Sequence, residues 1–450
     1  MNSQIVPASD RRRLAVFAAL GAAQAVVYGV FSVWDGHLDR PSIAMLMALL
    51  AFALYLAALA LARPLSGRRA LAVAVVLGLL FRALLLPEPP FLSDDYFRYM
   101  WDGLVQLRGV NPYRYAPADP ALAGLNDALR AQVNHPEIRT IYPPLAQLVF
   151  ALAALLAEGS WLLLKVVWLA CDVAIALLLY GLVPEGRRLQ AWTLYWWSPL
   201  VIIEVAWNAH LEALGVLFVI IALALARQVR LRSAGVGLAI AAAALVKYFA
   251  VAFLPAAARA GRPLRVVAAF IIGLALLSAP YASAGRYMFE GLVTYAQAWQ
   301  FNDGLYRLLV LVVASPNVAK LVAAAIVLLI VVNSVRNEWS LERTVFWVTG
   351  AILMLSPTVH PWYLLWMVPL VALRPNRGWL YLSGSVFLAY YGLAAYRAEG
   401  VWPEPWWIRL MIYGPFFILL VVDAWRGSWW QAAWEAVRIG RRPHAARADS

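Results

Sequence analysis

Residues 91–115 read FLSDDYFRYMWDGLVQLRGVNPYRY. Three carboxylates, several cations and a dense set of aromatics share this stretch, while most of the chain around it is apolar. Ser93 or Asp94 suits a helix N-cap, because a short side-chain oxygen accepts an orphan backbone N–H there. Beyond the cap, Phe97, Met100, Trp101, Leu104 and Val105 recur at helical spacing on one face, and Asp95, Arg98, Asp102 and Gln106 on the other. Gly109 and then Asn111-Pro112 end the pattern. Such a helix lies flat at a membrane surface, apolar face down and carboxylates toward water. Taken alone, its charges need only each other and solvent. The rest of the chain asks more of them.

The 450 residues are 64% hydrophobic and 14% charged, against roughly 25% charged in a soluble domain. That much apolar surface exceeds what a globular core hides, so the bilayer is the solvent. Apolar runs fall near 14–34, 43–62, 70–87, 144–157, 160–183, 190–226, 233–258, 264–283, 315–335, 344–373, 378–396 and 408–425. The reading is an all-α polytopic membrane protein. It has one domain over 1–425 with about 12–14 transmembrane helices, a large outer loop at 88–143 bearing in-plane helices, and a basic tail over 426–450. Several hairpin arms fall short of the roughly 20 residues a crossing takes. Among them, 344–373 breaks at Ser356-Pro357. Broken helices persist only where protein or a watery cavity satisfies their freed backbone groups.

Arg11-Arg12-Arg13 precede the first run and no clear small-residue cleavage site follows it, so that run reads as a retained span. With the N-terminus in the cytoplasm, the turns carrying Arg68 and Arg69, Arg187 and Arg188, Arg230 and Arg232, and Arg262 and Arg265 fall inside, together with the tail. The formal charge of +13 then records orientation, and no nucleic-acid partner is needed to explain it. This makes the protein multi-pass in the inner (plasma) membrane, with both termini cytoplasmic and 88–143 periplasmic. Parity leaves 144–157 as an in-plane or re-entrant segment. Cys171, the single cysteine, excludes an internal disulfide and reads as a packing residue.

With that orientation the polar clusters converge on the outer side. Asp94, Asp95, Arg98 and Asp102 lie on the first loop. Asn208, His210 and Glu212 cap one hairpin, Lys247-Tyr248 sits at the break of the next, and His360 to Tyr363 at the break of a third. Arg397 and Glu399 follow a later span. Ionisable groups near membrane depth cost roughly 2.5–3.5 kcal/mol each on insertion scales, so each invites an explanation. Plain ones exist. Lys247 can snorkel, His210 and Glu212 can form an interfacial pair, His360 can serve a turn, and Asp172 can be a satisfied contact between helices. No metal-ligand spacing, nucleotide-binding glycine pattern or nucleophile elbow stands out.

Jointly the set makes chemical sense. A carboxylate pair at the lip of an outer cavity, with lysine, histidine and arginine opposite, holds what a sugar transfer from a lipid phosphate needs. A carboxylate takes the proton of an acceptor hydroxyl. Cations hold the phosphate whose charge grows as the glycosidic bond breaks. Adjacent carboxylates raise one another's pKa, which favours a usable base. A transporter or flippase of a lipid-linked sugar would use the same cations without a base. An accessory subunit would use the outer loops to dock a partner.

The succession SDDYFRYMWDG (93–103), NPY (111–113), IYPPL (141–145), WSPL (197–200), NAHLEA (208–213), ALVKYFAVAFLP (244–255) and SPTVHPWYLLWMVPL (356–370) resembles bacterial polyprenyl-phosphate-dependent mannosyltransferases of the GT-C fold. It is more distantly similar to the mannosyltransferase catalytic subunit of GPI-anchor synthesis. The match spans roughly 70–373, and the aspartate loop with the His-Pro-Trp-Tyr motif is its specific part. The resemblance implies a periplasmic active site on the first large loop and an inverting transfer that is metal-independent or assisted by a divalent cation. Its donor would be a polyprenyl-phosphate sugar, mannose by family, and its acceptor a lipid-linked or cell-envelope glycan. The family's aspartate pair falls on Asp94 and Asp95, one of them the base. Its donor- or phosphate-binding positions fall on Lys247, His360 and Tyr363. Arg98 joins the donor group, with Asp102, His210 and Glu212 in support.

Overall fold

The computed structural model describes residues 8–33, 41–65, 67–227 and 233–425. The tail at 426–450 lies outside the described residues, as do Arg230 and Arg232. Helices build the architecture. Among the described residues the β pairing consists of an isolated parallel bridge between Phe301 and Thr358.

Among the described residues six helices are long and apolar enough to cross a bilayer by length and composition: Asp10–Ser32, Pro41–Ala62, Trp161–Leu182, Pro263–Ala284, Pro316–Arg336 and Trp406–Trp425. Five more apolar helices are shorter, namely Pro144–Leu156, Glu212–Ala226, Ser233–Ala244, Tyr248–Ala260 and Pro361–Leu373. The expected total of about 12–14 crossings counts several of these shorter arms as spans, but not 144–157, which parity leaves in-plane or re-entrant. The protein is thus a polytopic all-α membrane protein built from long spans and broken ones. Ser160, Ser315, Ser340 and Asn376 each accept a backbone N–H three residues on, and so fix four helix starts.

The three polar clusters that the sequence places on apolar hairpins all fall on helix interruptions. A π-helical stretch, Ile202–Trp207, gives way to the 208–211 turn before Glu212–Ala226 begins. Lys247 has extended backbone between Ser233–Ala244 and the 3₁₀ turn Tyr248–Phe253. Leu341–Leu355 stops at Ser356, and helical backbone resumes at Pro361.

The helix of the opening stretch runs Asp95–Leu107 and ends before Gly109, whose φ of +76° glycine adopts freely. It is not a surface helix. Its polar face is covered too, with Arg98 and Asp102 only 6% and 2% exposed. The reason is a polar partner set on its neighbours. Gln147 donates to Asp102 at 2.7 Å and to Thr140 at 2.8 Å. Gln106 donates back to Gln147 at 3.0 Å. The helix packs on Pro144–Leu156, and Gly103 permits the approach, since a Cβ there would collide with the Phe150 carbonyl oxygen. The cap is shared differently from expectation. Ser93 Oγ accepts the Asp95 N–H at 3.2 Å, while the Asp94 carboxylate makes no cap bond and is free for other use.

Asp172 is the satisfied contact between helices that its mid-span position suggested. Arg82 Nε donates to it at 2.6 Å, and the guanidinium also donates to the carbonyls of Gly78 and Trp196 while lying 3.5 Å over the Trp196 ring. Both partners are buried. Removing one leaves the other charged and unpaired, at a cost of about 3–5 kcal/mol. Asp172→Ala is therefore expected to lower the thermal unfolding midpoint in detergent sharply, and Arg82→Met/Asp172→Leu to recover most of it. An unchanged midpoint in Asp172→Ala would show that the pair holds nothing together.

Candidate active site

The helix interruptions and the 88–143 segment enclose a cavity of about 610 Å3. Its wall brings together Asp94, Asp95, Arg98, Glu212, Lys247, His360 and Tyr363. Of the candidate residues, Asp102 and His210 do not reach it. Asp102 stands behind Arg98, accepting its Nε at 3.1 Å. His210 is fully buried behind Trp362, on which it stacks at 3.9 Å.

The carboxylate pair sits at the start of Asp95–Leu107. Asn134 Nδ2 bridges it, donating to Asp94 Oδ1 at 2.7 Å and to Asp95 Oδ1 at 3.4 Å. Arg98 holds the opposite strand of the loop in place, donating Nη2 to the Ile138 carbonyl at 2.7 Å. Two of its donors are thus committed to the loop, which makes it an organiser of that loop as well as a wall residue. Asp94 is exposed and Asp95 half-buried. Burial, and after it the nearby charges of Asp94 and Glu212, push the Asp95 carboxyl up to about 7 against the opposing pull of the Asn134 hydrogen bond and Lys247. A carboxyl poised there takes up and releases a proton near neutral pH.

Lys247 does not snorkel. Its Nζ pairs with Glu212 Oε1 at 2.8 Å and lies 3.5 Å from the centre of the Tyr363 ring. Tyr363 in turn shares a hydrogen bond of 2.8 Å with Tyr295. Behind them runs a column of stacked rings. Phe301 lies 4.7 Å from His360, His360 lies 4.4 Å from Trp362, and Trp362 rests on His210.

Sequence reasoning paired His210 with Glu212, and here the structure differs. Glu212 belongs to Lys247, while His210 Nε2 lies 3.3 Å from Glu204, on the π-helical turn. Glu204 also accepts from Tyr390 at 2.9 Å and from Asn208 at 3.2 Å. Asn208 Oδ1 accepts the backbone N–H groups of Phe91 and Leu92 at 3.3 and 2.9 Å. The NAHLEA turn therefore anchors the strand that delivers the aspartate pair. Ala209 within it holds φ +61°, a left-handed conformation costly for a residue with a Cβ. Glu204 escaped the sequence reading because a lone glutamate in an apolar run gives no spacing signal. Asn134 escaped because its partner is some 40 residues away in sequence.

A family model described as alpha-(1->6)-mannopyranosyltransferase, N-terminal domain (the MptA_B family), matches residues 14–262. The chain belongs to this family. It is a membrane-embedded glycosyltransferase of the mannosyltransferase type. No curated protein and no solved structure matches it. The matched span carries the aspartate pair, Asn134, Glu212 and Lys247 of this mannosyltransferase. His360, Tyr363 and Arg397 close the cavity from beyond that span.

Proposed function

We propose that the protein transfers mannose from a polyprenyl-phosphate donor to a lipid-linked or cell-envelope glycan, on the periplasmic face of the inner membrane, within a GT-C-type helical bundle. The family description supports an α-(1→6) linkage for the transferred mannose. The observation that carries the reading is one cavity that joins a carboxylate of raised pKa to a wall of cations and aromatics. Asp95 takes the proton of the acceptor hydroxyl as its oxygen attacks the sugar C1. The bond from C1 to the phosphate oxygen breaks, and the prenyl phosphate leaves with that electron pair. The cationic wall stabilises the charge that gathers on it. Asp94 and Asn134 hold the base in place. Among the described residues no group of three or more His, Cys, Asp or Glu gathers that could hold a metal ion.

Positive charge on the cytoplasmic turns supports the orientation, and the family supports a transferase over a flippase. The purified protein, given polyprenyl-phosphate [3H]mannose and an α-mannoside acceptor, is expected to label the acceptor and release prenyl phosphate. Movement of intact donor between the leaflets of a vesicle, with no label in the acceptor, would overturn the reading in favour of a flippase.

A further inference from the structure

Among the described residues, four lysine or arginine side chains line the cavity: Arg98, Arg139, Lys247 and Arg397. Three of them are neutralised by a carboxylate. Arg98 pairs with Asp102 at 3.1 Å, Lys247 with Glu212 at 2.8 Å, and Arg139 with Glu290. Arg397 forms no ion pair among the described residues. Asp94 is near enough to act on it electrostatically but makes no such contact.

Arg397 is nonetheless fixed. It donates one N–H to the Phe91 carbonyl and lies 4.3 Å over the Phe91 ring. A guanidinium has five N–H donors in a planar fork, so most remain for a ligand. Stacking on a ring leaves that fork pre-organised, and its geometry matches two oxygens of a phosphate at once. Phe91 is itself tied, through its backbone N–H, to Asn208. It lies three residues before Asp94. The cation and the carboxylate pair thus hang on one short segment, which holds them in a constant relation.

We propose that Arg397 is the principal ligand of the donor's phosphate. This rests on the lipid-phosphate reading above and deepens it. Lys247, already neutralised by Glu212, contributes less net charge than its position suggests. Arg397 comes from the short helix Leu393–Glu399, outside the span of the family match.

The test compares farnesyl phosphate with uncharged farnesol, which share the same tail, by titrating the purified full chain in detergent and following tryptophan fluorescence. Wild type is expected to prefer the phosphate. Arg397→Gln is expected to lose about 10- to 100-fold of that preference, as for charge-assisted hydrogen bonds, with farnesol binding unchanged. Arg397→Lys, which keeps the charge without the fork, should retain part of it. A preference intact in Arg397→Gln places the anion elsewhere and overturns the proposal. An equal weakening of both lipids also overturns it, since Arg397 would then merely prop the Phe91 segment. A wild-type protein indifferent to the phosphate would sink the lipid-phosphate reading itself, whatever the variants do.

Discussion

Asp95→Asn is expected to lower the rate of mannose transfer by about 10²- to 10⁴-fold, the usual contribution of a general base, in a protein that stays folded in detergent. Asp94→Asn should cost less. Asp94 is exposed and serves the pair through Asn134, whereas Asp95 faces Glu212 and Lys247 within the cavity wall. The pH profile gives the sharper reading. Only ionised Asp95 accepts a proton, so the rate should climb as pH rises through about 7 and level above it. Below that, the rate should fall about tenfold per pH unit. Asn134→Ala removes a donor that favours the ionised form, so the acid limb should move to higher pH, a shift that a loss of stability alone does not produce. A wild-type rate flat from about pH 6 to about pH 8, or full activity in Asp95→Asn beside an inactive Asp94→Asn, would remove Asp95 from the role of base.

The fold class was legible because it depends on composition and run length, both written along the chain. The breaks were legible for a related reason. Lys247, His360 and the NAHLEA turn place polar or helix-breaking residues inside apolar runs, and the bilayer tolerates these only at an internal site. Pairing was not legible. Glu212 has two basic neighbours within reach of sequence reasoning, His210 and Lys247, and only the packing of Glu212–Ala226 against Ser233–Ala244 decides for the lysine. The opening helix shows a different limit. Its amphipathic spacing describes one apolar and one polar face correctly, yet spacing cannot say whether the polar face meets water or a glutamine on a neighbouring helix. Asn134 and Glu204 act on partners far away in sequence, and short-range pattern contains no trace of them.

The ion pair between Lys247 and Glu212 yields the second large effect, because it separates holding the fold from holding the donor. Glu212 is 1% exposed, and its other carboxylate oxygen makes no hydrogen bond to protein. Lys247→Ala leaves that buried charge unpaired, so a loss of about 3–5 kcal/mol of stability is expected, and with it activity. That result alone does not distinguish the two roles. Lys247→Ala/Glu212→Gln removes both charges together and should bring the unfolding midpoint back close to wild type. Activity should not return with it. The Nζ donors beside Tyr363 would still be missing from the wall proposed to meet the prenyl phosphate, so a rate deficit of at least about 10²-fold should persist in the double variant. A double variant as active as wild type would mean that Lys247 serves only to neutralise Glu212. The phosphate would then be held by the remaining wall, with Arg397 its strongest cation.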